Sequence, residues 1–331
     1  KNLFYQFKKL DRLKVMEKLS WKAPTLEDLD KIRLAAEINN QIGNEMSAVN
    51  LFLYQIKYDT KIAFFDDMFF RQYKINNQKY FGLPLVLDSD ICKSQKAKEA
   101  KILQGIDILR AENQETGKSL SFFYVYQDDL EFLQFVFQDK IQISLDEANA
   151  DYIYLRENLG ILPGSKYHKK RNHISKFLRT YPMATFTPLS KENLRDAFLV
   201  EKLWFEAAKS EETTDNSFES IEKEFSIIKN ALENFEKLNL FGGLVYIDKK
   251  PVAMTVASSI SSKIMDIHFE KALMPYAFDG AYSFINNQFA KSQDCLLFNR
   301  EEDLGLPGLK KAKLSYYPTE ILQKWSVKID F

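Results

Sequence analysis

The run Cys295-Leu296-Leu297-Phe298-Asn299-Arg300-Glu301-Glu302-Asp303-Leu304-Gly305-Leu306-Pro307-Gly308-Leu309-Lys310-Lys311-Ala312-Lys313-Leu314-Ser315-Tyr316 passes from an apolar strand into polar and charged side chains. A Gly-Leu-Pro-Gly turn and a lysine-bearing helix follow. Polar groups gathered where a buried strand ends sit where open α/β sheets bind ligands. These residues therefore imply a sheet protein with a site at this strand end.

The chain has 331 residues, enough for two domains of ordinary size. Lys plus Arg and Asp plus Glu are each 46, so net charge gives no reason to expect a nucleic acid or an anionic membrane as partner; only local clusters could. The 27 Phe and 16 Tyr supply a sizeable core. Cys92 and Cys295 lie far apart in apolar settings and read as reduced thiols of a cytoplasmic protein. No apolar run reaches the ~18 residues a membrane span needs. Residues 1–24 read as an amphipathic lead-in helix without secretory-signal features.

Element order repeats. Thr25 to Asp28 forms a capping-box-like start, followed by helices from Leu26 and over 48–58. Strands over 61–65, 68–75 and 79–86, turned at Asp66-Asp67 and Asn76-Asn77, form a meander. Next come a helix over 94–115 stopped at Gly117, a strand over 119–126, a helix from Asp128, and strands over 141–145 and 152–155. The second half gives helices over 190–209 and from Asn216, whose start reads as a cap. Strands over 244–247, 252–260 and 263–269 follow, then a helix over 280–291, a strand over 295–298, a helix over 306–313 and a last strand over 322–329. The spacing predicts a first domain over 25–158, a basic linker helix over 159–182 ended at Pro182, and a second domain over 183–331.

Several groups are candidates for chemistry. Strand alternation places Asp266, His268 and Glu270 on one face and Met265, Ile267 and Phe269 on the other. That polar face either lines a cleft, with His268 or Glu270 taking a proton from an attacking amine, or is a solvated outer surface. Gly280 opens a helix whose free N–H groups would suit a phosphate, while Asp279 reads as its N-cap. The linker cluster Lys166, His168, Lys169, Lys170, Arg171 and Lys176 would contact RNA phosphates or an anionic lipid surface, or else pair with Glu211, Glu212, Asp215, Glu219 and Glu222. Asn172 reads as a backbone-bonding residue. Three histidines without a His-Glu-x-x-His pattern predict no metal.

The order of elements, with Gly164 to Phe177, Gly280 to Phe289 and Asn299 to Tyr316, resembles the phosphatidylglycerol lysyltransferase C-terminal-domain family over roughly residues 26–327. The resemblance implies an α+β fold of two tandem GNAT-like domains, each a mostly antiparallel sheet flanked by helices. It implies an acyl- or aminoacyl-group transferase that uses aminoacyl-tRNA or acyl-CoA as donor and an amine or hydroxyl as acceptor. The family's lipid enzymes carry a membrane-spanning half that these residues lack, so a soluble member is expected, with a small-molecule substrate, tRNA and peripheral anionic lipid as partners. The active cleft is expected in the second domain, with His268, Glu270 and Glu301 catalytic. Asp266, Asn286, Asn299, Arg300, Asp303, Lys313 and Tyr316 would bind substrate, and Gly280, Lys169, Lys170 and Arg171 would bind phosphate. A non-catalytic module holding a small anionic or amino-acid ligand at Arg300 and Glu301 is the alternative.

Overall fold

The computed structural model describes residues 18–113, 119–211 and 215–331. The lead-in helix over residues 1–17, the stop at Gly117 and Glu212 of the acidic stretch lie outside them; so do the side chains of Glu211 and residues 215–218, where the Asn216 cap was expected. Residues 18–24, the end of the lead-in helix expected over 1–24, are not helical, and Lys22 bridges to Ile62.

Helix α1 (Leu29–Ile38) starts where Thr25 and Asp28 cap one another, and it buries Leu29, Ile32, Ala35 and Ala36. Helix α2 (Ala48–Leu53) is capped by Ser47 and ends five residues short of the expected Tyr58. Strands β1 (Lys61–Phe65), β2 (Met68–Ile75), β3 (Gln78–Phe81) and β4 (Leu85–Val86) form the meander. Both residues of the Asp66-Asp67, Asn76-Asn77 and Asp248-Lys249 turns have positive φ, the geometry that two-residue hairpins require. Helices α3 (Ser89–Cys92) and α4 (Gln95–Glu112), strand β5 (Ser119–Val125), helix α5 (Gln127–Phe137), strands β6 (Ile141–Leu145) and β7 (Asp151–Leu155) and helix α6 (Arg156–Ile161) follow. The linker forms helix α7 (His168–Thr180).

Beyond it lie β8 (Thr185–Pro188), the helix pair α8 (Leu194–Glu211) and α9 (Asp215–Glu233), and the strands β9 (Phe241–Ile247), β10 (Lys250–Ser259) and β11 (Ile264–Ala272). Helices α10 (Tyr276–Asp279) and α11 (Ala281–Lys291), strand β12 (Leu297–Asn299) and helix α12 (Pro307–Leu314) come next. The single last strand expected over 322–329 is two: β13 (Glu320–Leu322) and β14 (Trp325–Asp330).

The two sheets exchange strands. One has the order β1-β2-β3-β5-β14-β6, with β4 on β2; the other runs β13-β7-β12-β11-β10-β9-β8. Thus β7, from before the linker, pairs with β12 and β13, and β14 returns to sit between β5 and β6. One apolar core holds Leu29, Ile32 and Leu51 together with Leu232, Met254 and Phe269, so helices and strands of both halves share it. Among the described residues no helix is long and apolar enough to cross a membrane.

Lys324 lies between β13 and β14, at the crossing from one sheet to the other, with its side chain fully buried. Its Nζ lies 2.6 Å from both Asp151 Oδ1 and Asn44 Oδ1, and 3.1 Å from Glu45 Oε2. Burial opposes the ammonium charge, but Asp151, Glu45 and Glu302 outweigh it and hold the pKa well above its ordinary value. Replacing Lys324 by Met leaves Asp151 and Glu45 buried without their cation. The expected loss is about 3–5 kcal/mol, read as a lower midpoint in denaturant unfolding; an unchanged midpoint would contradict this account.

Candidate active site

Strand β11 departs from simple alternation. It pairs with β10 at Val256–Phe269 and then at Ala257–Ile267, so His268 is an extra, bulged residue. Before the bulge Ile264 faces the shared core and Met265 and Ile267 face a smaller one; after it Phe269 faces the shared core. The expected grouping of Met265, Ile267 and Phe269 on one face is therefore corrected. Glu270 parts from Asp266 and His268 and turns toward α11, where Asn286 Nδ2 donates to its Oε2 at 3.1 Å. Arg300 Nη2 reaches the same oxygen at 3.3 Å. Nor are these groups a solvated outer surface: His268 is 8% exposed and Asp266 is fully buried.

Strand β12 runs parallel to β11 only from Ile264–Leu297 to Asp266–Asn299, and β11 continues to Ala272 paired with β10. The loop that leaves β12 is held from within. Asn299 accepts from Glu301 N at 2.7 Å and donates to Asp151 Oδ2 at 2.6 Å and to Ile42 O at 2.9 Å, so it shapes the turn. Lys313 folds back from α12 onto the carbonyls of Arg300 at 2.5 Å, of Glu301 at 2.9 Å and of Glu302. Burial and then Arg300 bring its pKa down to about 8. The acidic string diverges: Glu301 enters the cleft, Glu302 lies 3.6 Å from Lys324, and Asp303 accepts from Tyr152 Oη at 2.5 Å and Gly305 N at 2.8 Å.

A cavity of about 580 Å³ opens where the two strands part. His268, Glu270, Arg300, Glu301 and Lys313 line one side. The opposite wall comes from the first half, as Asn50, Tyr54, Tyr58, Tyr73 and Tyr124, and Trp204 and Glu224 close the rim from α8 and α9. The cleft expected within the second half is thus completed by the first.

At its floor His268 Nε2 lies 2.8 Å from Ser258 Oγ, while Nδ1 lies 3.4 Å from both Asp266 Oδ2 and Glu301 Oε1. Asn50 Nδ2 bridges these two carboxylates at 3.1 and 2.9 Å. Burial, then the charges of Glu301, Asp151 and Glu302, push Asp266 well above the usual carboxylate range. No lysine or arginine pairs with the Glu301 carboxylate among the described residues.

The linker residues divide. Lys170 packs its ammonium 3.7 Å over the Tyr316 ring, and Arg300 lies 5.1 Å from the same ring. Burial and then Arg300 lower the Lys170 pKa to about 8. Tyr316 itself donates to Ser283 Oγ at 3.3 Å. Arg171 donates to the carbonyls of Leu162 and Gly164 and holds the turn into α7. Lys169 is exposed. Lys176 pairs with Asp279 at 2.8 Å rather than with the acidic stretch, where Glu219 pairs with Lys223. Gly280, at φ +116°, packs against α7: a Cβ there would lie 2.7 Å from His173 O. Gly280 is also the N-cap, so Asp279 is not; it accepts instead from Lys176 and Tyr181. Asn172 bonds the His168 ring rather than backbone.

Asn50, Ser258 and the tyrosine wall carried no sequence signal, because Asn50 meets Asp266 only across 216 residues. The polar alternation of β11 and the acidic string after β12 were the cues that reached this floor.

Residues 43–328 match the family model described as phosphatidylglycerol lysyltransferase, C-terminal. The chain belongs to that family. A conserved protein of unknown function from Bacteroides thetaiotaomicron is 30% identical, with 94% of this chain and 100% of that one covered and a TM-score of 0.81. L-PGS from Bacillus licheniformis is 13% identical at TM-score 0.59, covering 96% and 94%. FemX is 11% identical at TM-score 0.58, covering 94% and 97%. The fold is the family's α+β arrangement of tandem GNAT-like units. Membership supports an aminoacyl- or acyl-transferase kind of function.

Beside the cavity, Glu201 on α8 is 1% exposed and its Oε2 has no partner. Burial pushes its pKa up to about 7, against the pull of Lys271 and with the help of Glu224. The fold thus holds this proton more tightly than the unfolded chain does. The stabilisation is complete below the ordinary value of 4.5 and is lost as pH rises through about 7. Glu201→Gln should raise the thermal midpoint at pH 8, by an amount equivalent to about 1–3 kcal/mol, and leave it nearly unchanged at pH 4.5. Equal midpoints at pH 8 would refute the assignment.

Proposed function

We propose that the chain transfers an aminoacyl group from aminoacyl-tRNA to an amine or hydroxyl acceptor, in the cavity between the two halves. The observation that carries this reading is the convergence of Glu301 and His268 with the Glu270–Arg300 pair around one hollow. In this proposal Glu301, which lacks a lysine or arginine partner among the described residues, accepts the proton released when the acceptor attacks the ester carbonyl and returns it to the ribose oxygen of the tRNA as the acyl–ribose bond breaks. His268, behind Glu301, and the Asn50 amide hold its carboxylate in place. Arg300, held by Glu270, offers a guanidinium to a carboxylate or phosphate oxygen. The Tyr54, Tyr58, Tyr73 and Tyr124 wall supplies apolar faces for the body of the substrate.

Two features favour an aminoacyl over an acyl-CoA donor. The helix start at Gly280, where a pyrophosphate would be expected, is packed against α7. The acids around the cavity, Glu301 and Glu302 among them, suit an acyl group bearing an ammonium rather than a plain acetyl. Exposed Lys169 on α7 is the proposed contact for RNA phosphates, with Lys170 and Arg171 engaged within the protein.

The test follows donor loss from charged tRNA and from acetyl-CoA across a panel of amine and hydroxyl acceptors. Acceptor-dependent loss of the aminoacyl group is expected, reduced about 10²–10⁴-fold in kcat by Glu301→Gln. Thermal stabilisation by an amino-acid or anionic ligand with neither donor consumed would replace transfer by ligand binding.

A further inference from the structure

The floor of the cavity holds more ligating atoms than proton transfer needs. Asp266, His268 and Glu301 each offer one ligand atom, and these atoms all lie within 4.8 Å of one another. Asp266 is fully buried, and its Oδ1 has no hydrogen-bond partner. Asn50 shows the same deficit: its amide nitrogen bridges the two carboxylates while its Oδ1 has no partner. Two carboxylates therefore meet beside one imidazole, with the Asn50 amide and the imidazole as their donors and the buried Asp266 Oδ1 left over.

The spacing indicates which cation fits. An ammonium donating three hydrogen bonds of about 2.8 Å sets its acceptors roughly 4.6 Å apart around a tetrahedral nitrogen. A zinc-class ion with ligands at about 2.1 Å sets them roughly 3.4 Å apart. His268 Nδ1 lies 3.4 Å from Asp266 Oδ2 and 3.4 Å from Glu301 Oε1. These two separations, both to the imidazole, are shorter than ammonium spacing and match the edges of a metal polyhedron, and the remaining edge between Asp266 and Glu301 lies within 4.8 Å.

We propose that Asp266, His268 and Glu301 form a divalent-metal site of the zinc class, with the Asn50 carboxamide beside it and an open position toward the cavity. This reverses the sequence expectation of no metal, which rested on the lack of a local motif. The ligands come instead from β11 and from the loop after β12, elements that pair in parallel beside the site. Turning the Asn50 amide over presents Oδ1 to the ion, a rearrangement within the side chain alone. A metal occupies the same lone pairs of Glu301 and His268 that accept a proton, so metal loading and the transfer proposed above exclude one another. The site itself stands on geometry and not on that reading.

The test uses the full chain without a histidine tag, stripped by chelator and titrated calorimetrically with Zn²⁺, Mn²⁺ and Mg²⁺ in the absence of donor and acceptor. The expected result is one equivalent of Zn²⁺ bound with sub-micromolar Kd, weakened at least ~10-fold by Glu301→Gln and tightened by Asn50→Asp, which adds a carboxylate ligand. Glu301 is partly exposed, with 20% of its side chain accessible, so this variant carries the test even where Asp266→Asn disturbs folding. Zinc binding weaker than about 100 μM, or binding indifferent to both substitutions, overturns the site. Because no substrate is present, a failed titration removes the metal alone, and a failed donor assay with a successful titration removes the transferase alone.

Discussion

The fully buried ammonium of Lys324 sits where the two sheets trade strands. Carrying that charge into the interior is costly unless acids follow it, and they come from far apart in the chain: Glu45 before α2, Asp151 at the start of β7, and Glu302 in the loop after β12. The exchange of β7 and β14 brings these segments together, and the same segments border the cavity. Glu302 is adjacent to Glu301, and Asn44, which also bonds Lys324, lines the cavity wall. The ionic cluster and the candidate site are thus neighbouring parts of one junction, so the position of the Arg300–Glu302 loop depends on how that charge is balanced.

A second constraint is the separation of β12 from β11 after three paired residues. A sheet that continued pairing would fill the space with backbone hydrogen bonds. Instead Asn299, Lys313 and Asp303 satisfy the polar groups of the departing loop, and each of these side chains serves to hold the loop's shape. The Arg300 and Glu301 side chains line the cavity instead, paired with Glu270 and with Asn50. Family resemblance in such a stretch therefore mixes residues that shape a loop with residues that line a cavity, and the sequence alone does not separate them.

Much of the local structure was legible. Turns at Asp66-Asp67 and Asn76-Asn77 follow from residues that tolerate positive φ, and the first meander follows from the turns. The meeting of Glu270 with Arg300 was also anticipated, because both lie near the ends of neighbouring strands. What failed was of longer range. The bulge at His268 has no composition signal, yet it reverses every side chain beyond it, which is why Glu270 parts from Asp266. Lys324 looks like any surface lysine between two short apolar runs, and only the strand exchange buries it. Asn50 and the tyrosines of the first half gave no hint of a role, because periodicity reports which face is buried and not what that face meets.

The placement of β14 between β5 and β6 also bears on how the molecule is made. Until residues 325–330 have left the ribosome, the first sheet lacks an inner member and β5 and β6 present open edges to the surroundings. The early half therefore cannot mature as an autonomous unit during synthesis. It must wait, shielded or at risk of mispairing, for a segment translated roughly 240 codons after its own meander.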